Sequence, residues 1–178
     1  MKRVLLHICC GICASGTIEK LKSYGFAVTG YFYNPNIHPE EEFQRRLAVC
    51  EEVARLCGIP LLTGAYDQKA WFSEVTGLEQ EPEGGKRCEV CFRMRIRESW
   101  KKAQDMGIFA LASTLSISPH KDSAMINRIG KTECGLSFLE YDFKKQDGWK
   151  IANAFAKEHS LYRQHYCGCT FSRKPGQD

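Results

Sequence analysis

Apolar residues along this chain fall into short unbroken runs that alternate with longer stretches where they recur every third or fourth position. Unbroken runs bounded by turn residues mark strands buried on both faces, and the spaced stretches mark amphipathic helices. Residues 3–8 therefore read as a buried strand, and residues 17–24 as a helix whose first turn lies close to the loop CCGIC. Residues 27–33 form a second strand, stopped by Asn34-Pro35-Asn36. A long helix follows from Pro39, with Phe43, Leu47, Cys50, Ala54 and Cys57 on one stripe, and Gly58 ends it. Residues 59–63 are a third strand, 68–75 a helix, and EQEPEGGKRC a polar connection rich in turn residues. Helix is predicted again over 89–106, strand over 108–113, helix over 122–134, a short strand over 138–141 and a last helix over 149–159.

Strands alternating with helices predict a Rossmann-like α/β fold, a mostly parallel sheet flanked by helices. The chain has no repeat, low-complexity segment or linker, so residues 1–178 read as a single α/β domain ending in a cysteine-containing tail, YRQHYCGC. In such sheets ligands sit outside the carboxyl ends of the strands. The residues just past the predicted strands are CCGIC, YNPNIHP, TLSISPHKD and YDFKK, so that edge gathers thiols, amides, hydroxyls, a histidine and an aspartate.

The 178 residues are enough to bury a core without disulfides, yet there are ten cysteines. The opening MKRVLLHI holds only a short apolar run, and no stretch approaches the roughly 20 apolar residues of a membrane helix. No membrane association and a cytoplasmic location are therefore expected. In that reducing compartment clustered cysteines point to metal ligation or redox chemistry. Cys9 and Cys10 can address one centre only where the strand has ended and the backbone turns, which Gly11 permits, and Cys13 stands close enough to join them. Cys88-x-x-Cys91 supplies a second half-site. Four thiolates from the two segments suit either a tetrahedral zinc or a [4Fe-4S] cluster, and spacing does not separate the two. Cys167-Gly168-Cys169 is different: thiols at i and i+2 close a strained, easily reduced disulfide or bind one metal. Cys50 and Cys57 lie on the apolar stripe and read as core, and Cys134 as structural.

The net charge of +4 is mild but uneven: residues 86–102 carry seven basic side chains against two acidic ones. Arg87, Arg93 and Arg95 in that stretch suggest contacts to a polyanion, unless the stretch is only a solvated helix face. Asn34, Asn36 and His38 could recognise a base or ribose or merely form a turn, and Ser116, Ser118 and His120 carry the same ambiguity. Phe32, Tyr33, Phe92 and Tyr166 could stack on splayed bases. Asp142 is a candidate proton donor or iron ligand, Asp122 reads as a helix cap, and His7 as a satisfied core histidine.

Taken together, LLHICCGIC, YFYNPNIHP, GGKRCEVCFRMR, STLSISPHKD, DFKK and LYRQHYCGCTFS make the chain resemble the QueH-type epoxyqueuosine reductases, a cobalamin-independent family acting on tRNA. The resemblance covers nearly the whole chain. It departs at Ile12, where the family often has proline. It implies two-electron reduction of the epoxide of epoxyqueuosine, at the wobble position of tRNA, to the alkene of queuosine, with an external electron donor. It further implies a [4Fe-4S] cluster on Cys9, Cys10, Cys88 and Cys91, and an additional iron ion nearby with thiolate and carboxylate ligands, in which Cys13 could share. Cys167 and Cys169 match the family's C-terminal redox pair. The alternative from the residues alone is a zinc-knuckle tRNA-binding module without redox chemistry, which gives CGC no role. A sulfur-transfer or adenylating enzyme would want a glycine-rich phosphate loop where CCGIC stands.

Overall fold

The computed structural model describes residues 1–145 and 147–173. Strands β1 (Lys2–His7), β2 (Phe26–Phe32), β3 (Leu61–Thr63) and β4 (Leu111–Ser113) form one parallel sheet in the order β3-β2-β1-β4. Six helices flank it: α1 (Gly11–Ser23), α2 (Glu40–Leu56), α3 (Gln68–Glu74), α4 (Lys86–Asp105), α5 (Ser123–Cys134) and α6 (Gly148–Glu158). α1 packs against α2 and α6, while α4 packs against α5 and reaches β1 and β4. The expected Rossmann-like α/β architecture is the one observed.

β1 is central because it can be buried on both sides. Val4, Leu5, Leu6 and Ile8 are wholly buried, each contributing about 1.5–3 kcal/mol relative to exposure. The chain leaves β1 toward β2 on one side and returns to β4 on the other, so strand order reverses beside β1. Such a reversal opens a crevice at the strand ends. The ladder sets His7 opposite Ser113, whose Oγ lies 2.9 Å from His7 Nδ1, and Tyr33 O lies 3.2 Å from Nε2. His7 is thus the satisfied core histidine expected, and burial, with Arg95 adding, pushes its pKa down to about 3.

Several boundaries differ from the sequence reading: β3 and β4 are shorter, starting at Leu61 and Leu111 rather than at residues 59 and 108, and three further differences have local physical reasons. α1 begins at Gly11 rather than residue 17, with Cys10 as its extended N-cap residue. Gly11 therefore serves a close approach rather than a turn: a Cβ there would lie 2.6 Å from Val49 Cγ1 and 3.0 Å from that residue's carbonyl on α2. α4 begins at Lys86 rather than residue 89, so Cys88 and Cys91 sit on one face of its opening turns. The strand expected over 138–141 is a single bridge from Phe138 to Leu111, because after Leu139 bonds Leu111 the Tyr141 N–H turns back to Leu139.

Gly11→Ala is expected to destabilise the fold by about 1–3 kcal/mol through overpacking of α1 on α2, read as a lower urea midpoint at unchanged slope. An unchanged midpoint would show that the helices part without cost.

Candidate functional site

The loop after β1 is held by hydrogen bonds that fix where its thiols point. Ile8 N–H bonds Tyr31 O, Ile8 O accepts from Asn34 Nδ2 at 2.8 Å, and Cys9 N–H bonds Thr114 Oγ1 at 3.0 Å. Cys10 O accepts from Ala14 N–H inside α1. The sulfurs of Cys9, Cys10 and Cys13 consequently lie within 4.8 Å of one another, with Cys10 and Cys13 2.7 Å apart and Cys9 and Cys10 4.0 Å apart. All three are buried, and Thr114 Oγ1 donates to Cys9 Sγ at 3.2 Å. Hydrogen bonds from Cys10 and Cys13, helped by Lys121 and Arg95, hold Cys9 well below the usual thiol range, while Cys13 is raised. Three buried sulfurs held this close are a soft donor set suited to a metal.

Cys88 and Cys91 stand on α4 and do not join that group: among the described residues only Cys9, Cys10 and Cys13 form a set of three or more possible ligands within 4.8 Å, so the expected four-cysteine set is not brought together. Cys88 Sγ accepts from Gly84 N–H at 3.2 Å, and Cys91 packs with Trp71, Met94 and Cys169. A cavity of about 420 Å³ opens at the strand ends, lined by Cys9, Cys13, Arg95, His120, Lys121 and Cys167 among others. A pocket of about 30 Å³ beside it is lined by Cys88 and Phe92 and shares Glu83, His120, Lys121 and Cys167 with the larger one. Cys167 thus faces both thiol groups. No disulfide joins any two of the ten cysteines, and Cys167 and Cys169 flank Gly168. Cys50, Cys57 and Cys134 are buried away from the cavity lining, as their spacing suggested.

The tail that brings Cys167 here is strapped to α2. Arg46 Nε bonds Glu42 Oε1 at 2.6 Å, and its other nitrogens bond the carbonyls of Cys167 and Tyr166 at 2.9 and 3.1 Å. Tyr162 Oη donates to Glu42, Tyr166 Oη to His38 O, and His38 N–H to Gly168 O. His38 Nδ1 accepts from Thr170 N–H at 3.3 Å while its ring stacks on Phe72, so it is a strap for the tail, and burial lowers its pKa. Asn36 is buried under the same tail, close to where a Cβ on Gly168 would fall. Gly168 has φ +140°, which favours glycine between the two thiols.

The basic stretch of α4 divides. Arg87 is buried and bonds the carbonyls of Leu78, Glu79 and Glu81, bracing the loop before α4. Arg95 is buried beside Cys91 and Asn34. Arg93 pairs with Glu89 and Glu133, Arg97 with Glu74 and Glu98, and Lys101 with Glu98. The fold has brought carboxylates from neighbouring elements to this face. At the cavity, Arg46, Arg95, Lys121 and Arg163 line the wall with the single carboxylate of Glu83; Arg46 is already held by Glu42, which leaves Arg95, Lys121 and Arg163 without an ion pair among the described residues. Ser118, His120 and Tyr166 line the cavity; Asp142 does not, its Oδ1 accepting from Lys144 N–H at 3.1 Å. Phe32, Tyr33 and Phe92 are buried and Ser116 packs inside, while Asp122 caps α5 through Ala124 and Met125 N–H. Arg46, Lys121 and Trp149 were not singled out in the sequence, whereas Arg163 stands in the segment before Cys167 that reads as a functional surface. The Glu42 to Arg46 spacing at i and i+4 was the one signal that could have flagged the strap.

Fold and site together define a parallel α/β protein with a buried, cation-flanked cysteine centre opening into a cavity at the strand-order reversal. The family profile described as Epoxyqueuosine reductase QueH matches residues 4–175. Epoxyqueuosine reductase QueH of Streptococcus pyogenes serotype M1 is 37% identical over 180 aligned positions, covering 96% of this chain and 70% of that protein. The chain belongs to the QueH family. Among solved structures, a predicted tRNA methyltransferase subunit from Methanocaldococcus jannaschii aligns at TM-score 0.60 and 15% identity, over 89% of this chain and 77% of that one. The U34-tRNA thiolase NcsA from Methanococcus maripaludis, solved with its [4Fe-4S] cluster, aligns at TM-score 0.55 and 12% identity, over 99% and 60%. These two likenesses are likenesses of fold.

Removing Arg46 leaves Glu42 buried without its partner and two tail carbonyls without donors. Arg46→Met is expected to lose about 3–5 kcal/mol of stability and to expose the bond after Arg163 to faster tryptic cleavage, followed by denaturant titration and peptide mapping. Tail cleavage at the wild-type rate would show that the strap is dispensable.

Proposed function

We propose that this chain reduces the epoxide of epoxyqueuosine in tRNA to the alkene of queuosine, consuming two electrons and two protons and releasing water. The observation that carries this reading is the family membership over residues 4–175, joined to a thiol centre that opens into a cavity rather than closing as a knuckle. Structural zinc sites are closed on all sides, whereas Cys9 and Cys13 line a space of about 420 Å³, within the usual size of a small-molecule site. That space suits one nucleotide splayed out of its stack.

The Cys9, Cys10 and Cys13 sulfurs are buried, clustered and flanked by cations, which suits an iron-sulfur cluster, and Cys88 and Cys91 lie outside that group on α4. Cys9 and Cys10 from the end of β1, with Cys88 and Cys91 from α4, are the ligands we assign to a [4Fe-4S] cluster, and Cys13 we assign to an additional iron ion. A bound cluster supplies electrons one at a time. Cys167, facing both cavities, with Cys169 behind it, is the pair we assign as a two-electron reserve, its two thiols giving two electrons and two protons as they close to a disulfide, which an external donor in a reducing compartment such as the cytoplasm reopens. For the proton to the leaving oxygen, His120 has the better position on the cavity wall, and Asp142 the poorer one. Lys121 and Arg163 hold phosphates at the cavity mouth, and Trp149 offers a stacking face there.

The test is anaerobic reconstitution followed by iron and sulfide analysis and turnover of tRNA bearing epoxyqueuosine. We expect iron with acid-labile sulfide and formation of queuosine, with Cys167→Ser keeping the metal and losing turnover. Zinc without iron, and no product, would return the chain to a binding module.

The charge distribution predicts where tRNA lies. Lys121→Glu with Arg163→Glu is expected to weaken binding and to flatten the dependence of log Kd on log salt by about 1.8, whereas Arg93→Glu with Arg97→Glu changes that slope little. The reverse pattern would place the RNA on α4.

A further inference from the structure

Three arginines of this chain are buried to 2% exposure, and two of them have conventional oxygen partners. Arg46 faces the Glu42 carboxylate, and Arg87 faces three carbonyl oxygens. Arg95 has neither arrangement. One terminal nitrogen donates to Asn34 Oδ1 at 2.7 Å, the other lies 3.9 Å from Cys91 Sγ, and Nε has no acceptor. No carboxylate pairs with it among the described residues. A guanidinium stays charged under all ordinary conditions, and a buried charge without a counter-charge is strongly unfavourable. The groups near enough to supply that counter-charge are the cysteine sulfurs.

Asn34 explains why the arrangement holds. It is wholly buried, and its amide is used at both ends: Nδ2 donates to Ile8 O at 2.8 Å while Oδ1 receives Arg95. The amide therefore ties the guanidinium to the backbone just before Cys9 and aims it between the β1 and α4 cysteines. A neutral amide fixes the position without cancelling the charge.

We infer that Arg95 is a positioning residue whose guanidinium is the fixed counter-charge of the cysteine centre, stabilising whichever state of that centre carries more negative charge. This rests on the reductase reading, in which the centre holds an iron-sulfur cluster. Reduction adds one negative charge to a cluster, and a cation held beside it in a poorly solvated interior favours the reduced form. Arg95 acts through the sulfurs and the cluster potential, without contact to substrate.

The test uses the full chain, reconstituted anaerobically with iron and sulfide and without tRNA, and reads metal content together with the midpoint potential in an electrochemical titration followed by electron paramagnetic resonance. Arg95→Gln is expected to shift the potential to more negative values or to lower the iron retained. Arg95→Lys, which keeps the charge, is expected to recover most of the wild-type value. Asn34→Asp keeps the guanidinium and sets a carboxylate against it, so it is expected to move the potential in the same direction as Arg95→Gln even where the latter folds poorly. A cluster whose potential is unchanged in Asn34→Asp overturns the inference and leaves the reductase reading standing. A wild-type chain that takes up neither iron nor sulfide overturns both.

Discussion

Crowding three buried sulfurs within 4.8 Å of one another is the constraint on which the surrounding structure depends. Thiolates so close repel one another, and removing them from water makes the repulsion stronger. The fold answers in two ways. Hydrogen bonds concentrate the negative character on Cys9, which accepts from Thr114, Cys10 and Cys13. Fixed cations, Arg95 and Lys121, face the group from α4 and from the segment before α5. The same positive field that makes the sulfurs tolerable also lines the cavity, so the electrostatics that support a metal centre also suit a polyanionic substrate.

The second element of the design is the tail. Cys167 lies far along the chain from Cys9, and it reaches the cavity because the chain after α6 is tied to the start of α2 through Arg46, Glu42 and His38, while Cys169 packs behind it with Trp71 and Cys91. A buried ion pair contributes little net stability, but it discriminates strongly against arrangements that separate its members. Here it serves placement: Glu42 orients Arg46, and Arg46 holds the two carbonyls that fix where Cys167 faces. The position of Cys167 on the walls of both cavities follows from that chain of contacts.

The fold was legible in the sequence because buried parallel strands announce themselves as mainly apolar runs, and VLLHI, broken only by His7, and AVTGYFY over 27–33, broken by Thr29 and Gly30, are such runs. The cysteine motifs were legible for the same local reason, since ligand spacing within a loop or a turn is a short-range property. The start of α1 at Gly11 was not. A sequence shows that glycine permits a turn, but it does not show the Val49 side chain of another helix lying where a Cβ would go. That Cys13 could join Cys9 and Cys10 was legible in the spacing, but the close approach of its sulfur to that of Cys10 was not, because it depended on helix starting at Gly11 with Cys10 as the N-cap residue.

The basic stretch of α4 shows the limit most clearly, and with it why site and surface must be read together. In the sequence its seven cations stand almost alone; in the fold, Glu74 from α3 and Glu133 from α5 come to meet Arg97 and Arg93. Exposed pairs of that kind are worth little to stability, yet they neutralise the field a distant phosphate would feel. Arg87 and Arg95 turn inward, one to brace the loop before α4 and the other to face the thiols. At the cavity, Arg95, Lys121 and Arg163 have no carboxylate partner among the described residues, so the positive potential there is not cancelled in that way. A nucleic acid drawn by that field would arrive with its backbone across the mouth of the cavity and one base directed at the sulfurs.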